Sequence, residues 1–359
     1  MTEKTIIIAE AGVNHNGSEE LALKLIDVAA EAGADYVKFQ TFRASEIAAK
    51  NAPLADYQAK NVNGENGQLK MLQKLEISHE THKKLFSHCQ SRGVKFISTP
   101  FDTESLRFLD SEIGVELIKI PSGEIVNPLL LIEAGRTGKP IILSTGMATL
   151  ADIELALGAL AYGMSDQSRS PSENVFKDCY LSDAGQAALL KKVMLLHCTT
   201  EYPAAFCEIN LKVMDTYAAA FGLPVGLSDH SPGISIPIAA VARGARILEK
   251  HFTLDKNLPG PDHLASLAPD ELKQMIRSVR EVEQAIGHGR KIPTKAEIRN
   301  AAVARRSVVA ANKIETGEKF TMNNICLMRP GSGVSPMKLW DILGRSAEKK
   351  YDTGDLIET

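Results

Sequence analysis

Two histidines close two short apolar segments that are separated by one helix-length stretch. His230 ends the segment 226–230, and His251 ends the segment 247–251. If both segments are neighbouring parallel strands, the two rings lie at the same edge of the sheet and can converge on one point. Two neutral imidazoles with no thiolate or third histidine suit Mn²⁺, Mg²⁺ or Co²⁺ better than a closed zinc site. Rim histidines that make ordinary hydrogen bonds are the alternative interpretation.

Six further apolar segments also end in polar side chains. These side chains are Glu10, Lys38, Gln40, Thr99, Lys119, Ser122, Glu124, Ser144 and His197. Two ammonium groups with several hydroxyls, to which Ser228 adds another, suit a small phosphorylated anion, and the sequence has no Gly-rich P-loop. Because an isolated buried charge is costly, each lysine needs an anionic partner. That partner is either a substrate or a glutamate that closes the site, and a Schiff-base lysine is a third interpretation.

The carboxylates and the remaining histidine have two interpretations each. Glu10 and Glu124 are candidates for a general acid and base, although a single rim glutamate would be a salt-bridge partner. His197 is a possible third metal ligand, but taken alone it is better interpreted as a hydrogen-bonded core histidine. Asp262 lies in the Pro-Gly-rich loop after the eighth segment, where it can face a polyhydroxylated substrate.

Eight apolar segments that alternate with helical patterns predict a (β/α)8 TIM barrel. In such a barrel the carboxyl ends of all strands open onto one face, where the chemistry takes place. At 359 residues the chain exceeds the ~250 typical of one barrel. We predict a barrel over 1–289, a charged linker over 290–305 and a small β-rich domain over 306–359, where turn signals recur every few residues.

Two insertions interrupt the barrel pattern. The stretch 43–78 follows the second strand, falls on the catalytic side and is predicted to form a lid or substrate loop that includes residues 61–67. The stretch 165–191 precedes the sixth strand, so we expect it at the opposite rim, away from the chemistry.

Composition excludes several classes of protein. A net charge of −3 gives no reason to expect nucleic acid or an anionic membrane surface as a partner. Apolar runs stay well below the ~20 residues that span a bilayer. Five scattered cysteines, an odd number without a CxxC pair, indicate reduced thiols. We therefore expect a cytoplasmic protein.

Eight motifs, in order along the chain, resemble those of the sialic acid synthase family. They are AEAGVNHNG (9–17), VKFQT (37–41), KIPSGE (119–124), LSTGM (143–147), GLSDH (226–230), EKHFTLD (249–255), GPDHLAS (260–266) and RPGSG (329–333). The resemblance implies a barrel followed by a small antifreeze-protein-like (SAF) domain. It also implies condensation of phosphoenolpyruvate with an N-acylated hexosamine to give a nine-carbon 2-keto sugar acid and phosphate. N-acetylmannosamine, giving N-acetylneuraminate, is the first expectation, and a 2,4-diacetamido-trideoxy hexose, giving a legionaminate, is the second.

The resemblance also implies roles for individual residues. The divalent metal, with Mn²⁺ as first choice, falls to His230 and His251. Phosphoenolpyruvate contacts fall to Lys38, Thr99, Lys119, Ser122, Ser144 and Ser228. Glu124 corresponds to the acid/base carboxylate and Glu10 to a second carboxylate at the reacting centre. Sugar contacts fall to Gln40, Tyr202, Asp262 and Arg329. Some members have an asparagine where this chain has Thr200, which leaves one sugar contact open.

A domain-swapped homodimer is a further expectation, in which Arg329 completes the active site of the partner chain. Three rival functions stay open from sequence. They are another phosphoenolpyruvate-condensing synthase or sugar-phosphate aldolase, a Schiff-base aldolase that uses Lys119, and a non-enzymatic ice-binding or carbohydrate-binding protein.

Overall fold

The computed structural model describes residues 4–61, 67–165 and 168–358, and the chain divides into two compact units, Met1–Gly287 and His288–Thr359. The described part of the first unit contains a sheet of eight parallel strands. They are β1 Ile6–Gly12, β2 Tyr36–Thr41, β3 Lys95–Pro100, β4 Ile118–Ile120, β5 Ile141–Ser144, β6 Val193–Cys198, β7 Val225–Asp229 and β8 Ile247–His251. The strand order is β3-β2-β1-β8-β7-β6-β5-β4, and β3 also contacts β4. The sheet therefore curves into the predicted (β/α)8 barrel.

Helices separate the strands along the chain. They are α1 Glu19–Ala32, α2 Ala44–Ile47, α3 Asp56–Asn61, α4 Gln68–Leu75, α5 His79–Arg92, α6 Thr103–Arg107, α7 Pro128–Arg136, α8 Leu150–Met164, α9 Glu173–Leu181, α10 Asp183–Lys192, α11 Val213–Phe221, α12 Ser235–Ala242 and α13 Pro269–Ile286. Local signals set their ends. In α1 the Ser18 hydroxyl accepts a hydrogen bond from Leu21 N, and Gly33 ends the helix at φ 85°. No described helix has the length and apolar character needed to cross a bilayer.

Inside the barrel, an apolar layer supports a polar one. The apolar layer is formed by Ile8, Ile97, Leu117, Ile142, Leu196 and Ile247. Because side chains alternate along a strand, the residue two positions further on points into the same interior. Ile8 is thus followed by Glu10, Leu117 by Lys119, and Ile247 by Glu249. The apolar layer closes the barrel interior beneath the polar layer, and the polar layer faces the open mouth.

The two insertions have different positions relative to that mouth. The stretch 43–78 carries α2, α3 and α4, and part of the predicted substrate loop (62–66) lies outside the described residues. The stretch 165–191 contains α9 and most of α10, which pack on α8. It precedes the amino end of β6, the end of the strand opposite the mouth.

The second unit is small and irregular. It contains α14 Lys295–Ala304, β9 Ser307–Ala310, β10 Ile325–Met328 and α15 Leu339–Ile342. The two strands pair antiparallel, and a cluster of buried side chains that includes Val308, Phe320 and Tyr351 forms its core. The segment predicted as a charged linker therefore contains a helix, whose N-cap residue Thr294 forms a capping box with Glu297.

Candidate active site

The carboxyl ends of the barrel strands surround a cavity of about 300 Å³. Most of the residues that the sequence predicts for the site line it. They are Glu10, Lys38, Gln40, Thr99, Lys119, Ser122, Ser144, Tyr202, Ser228, His230 and Asp262. These residues come from all eight strands and the loops that follow them, so closure of the barrel is what brings them together.

Three predicted residues do not line this cavity in the described structure. The His251 ring packs beside the His230 ring, with 5.4 Å between the ring centroids. Glu124 is half-buried in a short helical turn, and its carboxylate accepts a hydrogen bond from Asn127 Nδ2 at 2.7 Å. Arg329 is exposed and belongs to the second unit. Their roles stay predictions.

Four buried charges form the centre of the cavity: Lys38, Lys119, Glu10 and Glu249, here called the four-charge cluster. Lys38 Nζ lies 3.2 Å from Glu10 Oε2 and 3.1 Å from Glu249 Oε2. Lys119 Nζ lies 3.5 Å from Glu249 Oε1, which also accepts a hydrogen bond from Ser228 Oγ at 2.9 Å. Every member is at most 3% exposed. Two ammonium groups therefore face two carboxylates at ion-pair distance.

Burial and mutual attraction divide the pKa values within the cluster. Burial raises the pKa of Glu10 to about 7, against the pull of Lys38. Burial also acts to raise the pKa of Glu249, but the ammonium groups of Lys119 and Lys38 outweigh it and hold that pKa below its usual range. Burial lowers the pKa of Lys119 to about 8. Glu249 is therefore the anchor of the two lysines, and Glu10 is the carboxylate that can exchange a proton near neutrality.

Sequence reasoning missed Glu249. The signal was present in the segment that supplied His251, because residues two apart on a strand face the same side. His251 faces the mouth, so Glu249 had to face the interior, whereas Lys250 had to point outward. A buried glutamate one step below a candidate metal ligand is the anionic partner that the two lysines require.

The two histidines share a setting suited to metal binding. Burial lowers the pKa of His230 to about 4 and that of His251 well below its ordinary value, so both rings are neutral at pH 7. His230 Nδ1 lies 2.6 Å from the carbonyl oxygen of Thr199, which can only accept, so Nδ1 carries the proton and Nε2 keeps its lone pair. Tyr202 packs against both rings, at centroid distances of 4.1 and 5.5 Å.

An unpartnered nitrogen supports the same interpretation. In the part of the chain that the structure describes, buried His251 Nδ1 has no hydrogen-bond partner, and the nearest carboxylate oxygen, on Asp262, is 3.7 Å away. No three His, Cys, Asp or Glu side chains among the described residues are grouped so that they could hold a metal ion. Two imidazole nitrogens are thus the candidate protein ligands here, and a divalent cation held by them would need substrate or water at its other positions.

Hydroxyl groups surround the lysines. Lys38 Nζ donates a hydrogen bond to Thr99 Oγ1 at 3.0 Å, and Gly146 N donates to Ser122 Oγ at 2.9 Å. Ser144 Oγ and Thr200 Oγ1 are buried without a hydrogen-bond partner among the described residues. Such groups are costly unless a ligand or water satisfies them, so this part of the cavity suits a polar ligand.

The loop that carries Asp262 is held in place by the first βα loop. Asn14 Nδ2 donates to the carbonyl oxygen of Phe252 at 2.8 Å and to Ser266 Oγ at 2.9 Å. Ser266 Oγ in turn donates to the carbonyl oxygen of Asp262 at 2.7 Å. Burial raises the pKa of Asp262 to about 7. A carboxyl group is thus fixed at the rim, next to the histidines. By contrast, His197 Nε2 donates to the carbonyl oxygen of Ile209 at 2.6 Å, as a core histidine does.

Fold and site together define a barrel with a buried cluster of charges at the carboxyl ends of its strands. Comparison with known proteins gives the family. Residues 25–291 match the model of the NeuB family. The N,N'-diacetyllegionaminic acid synthase of Campylobacter jejuni is 46% identical over 99% of both chains. The enzyme of the same name from Legionella pneumophila is 42% identical over 97% of this chain and 92% of its own. The chain therefore belongs to the NeuB family of sialic acid synthases.

A solved structure agrees with this assignment. The N-acetylneuraminic acid (sialic acid) synthetase of Leptospira borgpetersenii has a TM-score of 0.68 and 34% identity, over 83% of this chain and 90% of that one. The structural similarity therefore agrees with the family assignment. Like the sequence matches, it supports a synthase activity.

Proposed function

We propose that the protein condenses phosphoenolpyruvate with a 2,4-diacetamido-trideoxy hexose to give N,N'-diacetyllegionaminate and phosphate. The observation that carries the condensation is the four-charge cluster with its unpartnered hydroxyls, which is suited to a ligand bearing both a phosphate and a carboxylate. The choice of sugar rests on relatives of 46% and 42% identity that are named for the legionaminic acid product. N-acetylmannosamine, the first expectation from sequence, is the rival substrate.

The residues divide the reaction between them. Lys38 and Lys119 hold the phosphate and the carboxylate, with Thr99, Ser122, Ser144 and Ser228 as hydroxyl donors. Carbon 3 of phosphoenolpyruvate bonds to the aldehyde carbon of the open sugar, whose oxygen takes up a proton. Positive charge at carbon 2 is stabilised by a neighbouring carboxylate until water adds there and loses a proton. Breakage of the bond from carbon 2 to the phosphate oxygen then gives the 2-keto acid and inorganic phosphate.

The two histidines are proposed to act on the electrophile of the reaction, the aldehyde of the sugar. We propose that His230 and His251 hold a divalent cation, with Mn²⁺ as first choice. Such a cation, when bound, supplies Lewis-acid polarisation of the sugar aldehyde. Asp262, Gln40 and Tyr202 line the rim, where they can hold the hydroxyl and acetamido groups of the sugar. Glu10 is our choice for the proton exchange, with Glu124 as the alternative from family resemblance.

A substrate panel tests the function. Phosphate release is measured with phosphoenolpyruvate and each of three acceptors: the 2,4-diacetamido-trideoxy hexose, N-acetylmannosamine and no sugar, with and without Mn²⁺. We expect kcat/KM for the diacetamido sugar to exceed that for N-acetylmannosamine by at least tenfold. A preference for N-acetylmannosamine would replace the proposed sugar, and phosphate release with no acceptor would overturn the condensation itself.

Replacing Lys38 should weaken the binding of phosphoenolpyruvate and not that of the sugar. The lost contact is a charge-assisted one, so Lys38→Ala should raise KM for phosphoenolpyruvate by roughly 10- to 150-fold, equivalent to about 1.5–3 kcal/mol. Lys95→Ala is the matched control, because Lys95 is an exposed lysine paired with Glu116 at the start of β3. An unchanged KM for phosphoenolpyruvate in Lys38→Ala would remove Lys38 from the anion site.

We further propose that the second unit is the antifreeze-like domain of the family and that Arg329 acts in a partner chain of a domain-swapped homodimer. Neither Arg329→Ala nor His230→Ala homodimers should turn over efficiently. In a mixed dimer one site carries both lesions and the other carries neither, so co-refolding the two variants should restore activity. A mixture that stays inactive while subunits demonstrably exchange would place Arg329 in its own chain or outside the site.

Schiff-base chemistry is the second candidate, because burial lowers the pKa of Lys119 to about 8 and so favours a nucleophilic amine. Pairing of Lys119 with Glu249 argues for the anion-binding role instead. Borohydride added with the sugar or with phosphoenolpyruvate should therefore leave activity intact, and inactivation that requires substrate would favour the aldolase.

A further inference from the structure

A second buried ion pair lies directly behind the two histidines. Lys250 precedes His251 on β8, and Asp229 precedes His230 at the end of β7. The two are register partners across the strand pair, and Lys250 Nζ lies 2.5 Å from Asp229 Oδ2. Both side chains are 0% exposed. Neither residue has a role in the proposed condensation.

The pair ties together the backbone on both sides of His230. Lys250 Nζ donates to the carbonyl oxygen of Ser231 as well as to the Asp229 carboxylate. The other carboxylate oxygen of Asp229 accepts a hydrogen bond from Ser231 N at 3.1 Å. The peptide segment that carries His230 is therefore held at both ends by one ammonium group, and that group belongs to the residue next to His251.

A buried ion pair is a costly way to stabilise a core. Desolvation of two charges offsets much of their attraction, and apolar pairs of similar volume often serve stability as well or better. What an ion pair provides is a fixed geometry between the two chain segments that carry it. Here the two segments carry the imidazoles, whose planes meet at 66° and whose centroids lie 5.4 Å apart.

We infer that Asp229 and Lys250 are positioning residues, which hold His230 and His251 at the separation needed to bind one divalent cation. Alternation along the strands supports this role, because both charges point away from the cavity and cannot reach a substrate there. This positioning role rests on the proposed metal site, whose two histidines the ion pair would hold in place.

The test compares Mn²⁺ binding by the full-length wild-type chain with binding by double variants. The concentration of unbound Mn²⁺ is measured by electron spin resonance as Mn²⁺ is titrated into each protein. In Asp229→Leu/Lys250→Met the charges are lost together, so no unpaired charge stays buried. We expect its dissociation constant for Mn²⁺ to rise at least tenfold, whereas phosphoenolpyruvate should still raise its melting temperature as in the wild type. Asp110→Leu/Lys139→Met removes a half-buried ion pair far along the chain from the histidines and should bind Mn²⁺ like the wild type.

A second double variant, Asp229→Asn/Lys250→Gln, keeps polar side chains of similar shape and serves if the apolar pair does not fold. It should weaken Mn²⁺ binding at least threefold. Binding within twofold of the wild type in a folded double variant would overturn the positioning role alone. Absence of Mn²⁺ binding by the wild type would overturn the metal assignment and, with it, this inference.

Discussion

Removal of divalent cations is expected to abolish phosphate release, and added Mn²⁺ is expected to restore it. The reason lies in the two neutral, buried imidazoles, since His230 Nε2 keeps its lone pair and His251 Nδ1 has no hydrogen-bond partner among the described residues. Without a Lewis acid the sugar aldehyde is a weak electrophile, and such polarisation contributes several kcal/mol to a transition state. The measurement is the rate of phosphate release before and after chelation and after titration with Mn²⁺, Mg²⁺ and Co²⁺.

His230→Ala should show the same loss, and excess Mn²⁺ should not fully reverse it. His88→Ala is the control, because that histidine is partly exposed and pairs with Asp27 on the outside of the barrel. Both variants should keep the melting-temperature rise caused by phosphoenolpyruvate, whose lysines are untouched. Full activity of a chelated His230→Ala protein would show that the histidines are structural.

The positions of the barrel strands are the part of the site's framework that sequence could predict well. Parallel strands buried on both faces leave a clear hydropathy signal, and Lys38, Lys119 and His230 lie within or directly after the strands that it marks. The barrel brings these residues to one cavity, as the sequence predicts. A sequence pattern does not show how deep in the barrel a side chain lies. That depth distinguishes Glu249, which is in the four-charge cluster, from Glu124, which is beside Asn127.

Contacts between residues of different segments are the second feature that the sequence could not predict. Asn14 holds the loop of Asp262 in place through Ser266, more than 200 residues further along the chain. Lys250 lies in the same motif as His251, and the sequence gives no sign that it pairs with Asp229. Such contacts depend on which strands adjoin, and β8 adjoins both β1 and β7 only because the barrel closes. Sequence patterns describe the faces of single segments, whereas these contacts join residues of different segments.

Replacing Glu249 by glutamine should separate binding from catalysis. In the four-charge cluster this carboxylate lies within 3.5 Å of both lysines, so an incoming phosphoenolpyruvate competes with it for their charge. Its neutral isostere leaves the mouth one unit more positive. We therefore expect phosphoenolpyruvate, titrated without sugar, to bind several-fold more tightly to Glu249→Gln than to the wild type. Turnover should fall by about 100-fold or more, because the reacting carbon loses a neighbouring carboxylate as positive charge develops there.

Glu124→Gln is the matched comparison, since family resemblance assigns the acid/base role to Glu124 while the described structure sets its carboxylate beside Asn127. Both variants carry the same chemical change, one inside the cluster and one outside it. Tighter binding of phosphoenolpyruvate with slow turnover in Glu249→Gln alone would identify Glu249 as the carboxylate that serves the reacting carbon. If Glu249→Gln binds phosphoenolpyruvate more weakly and keeps its kcat, Glu249 only holds the two lysines in place. In that case the stabilising carboxylate is Glu10 or Glu124, and slow turnover in Glu124→Gln would decide for the second of these.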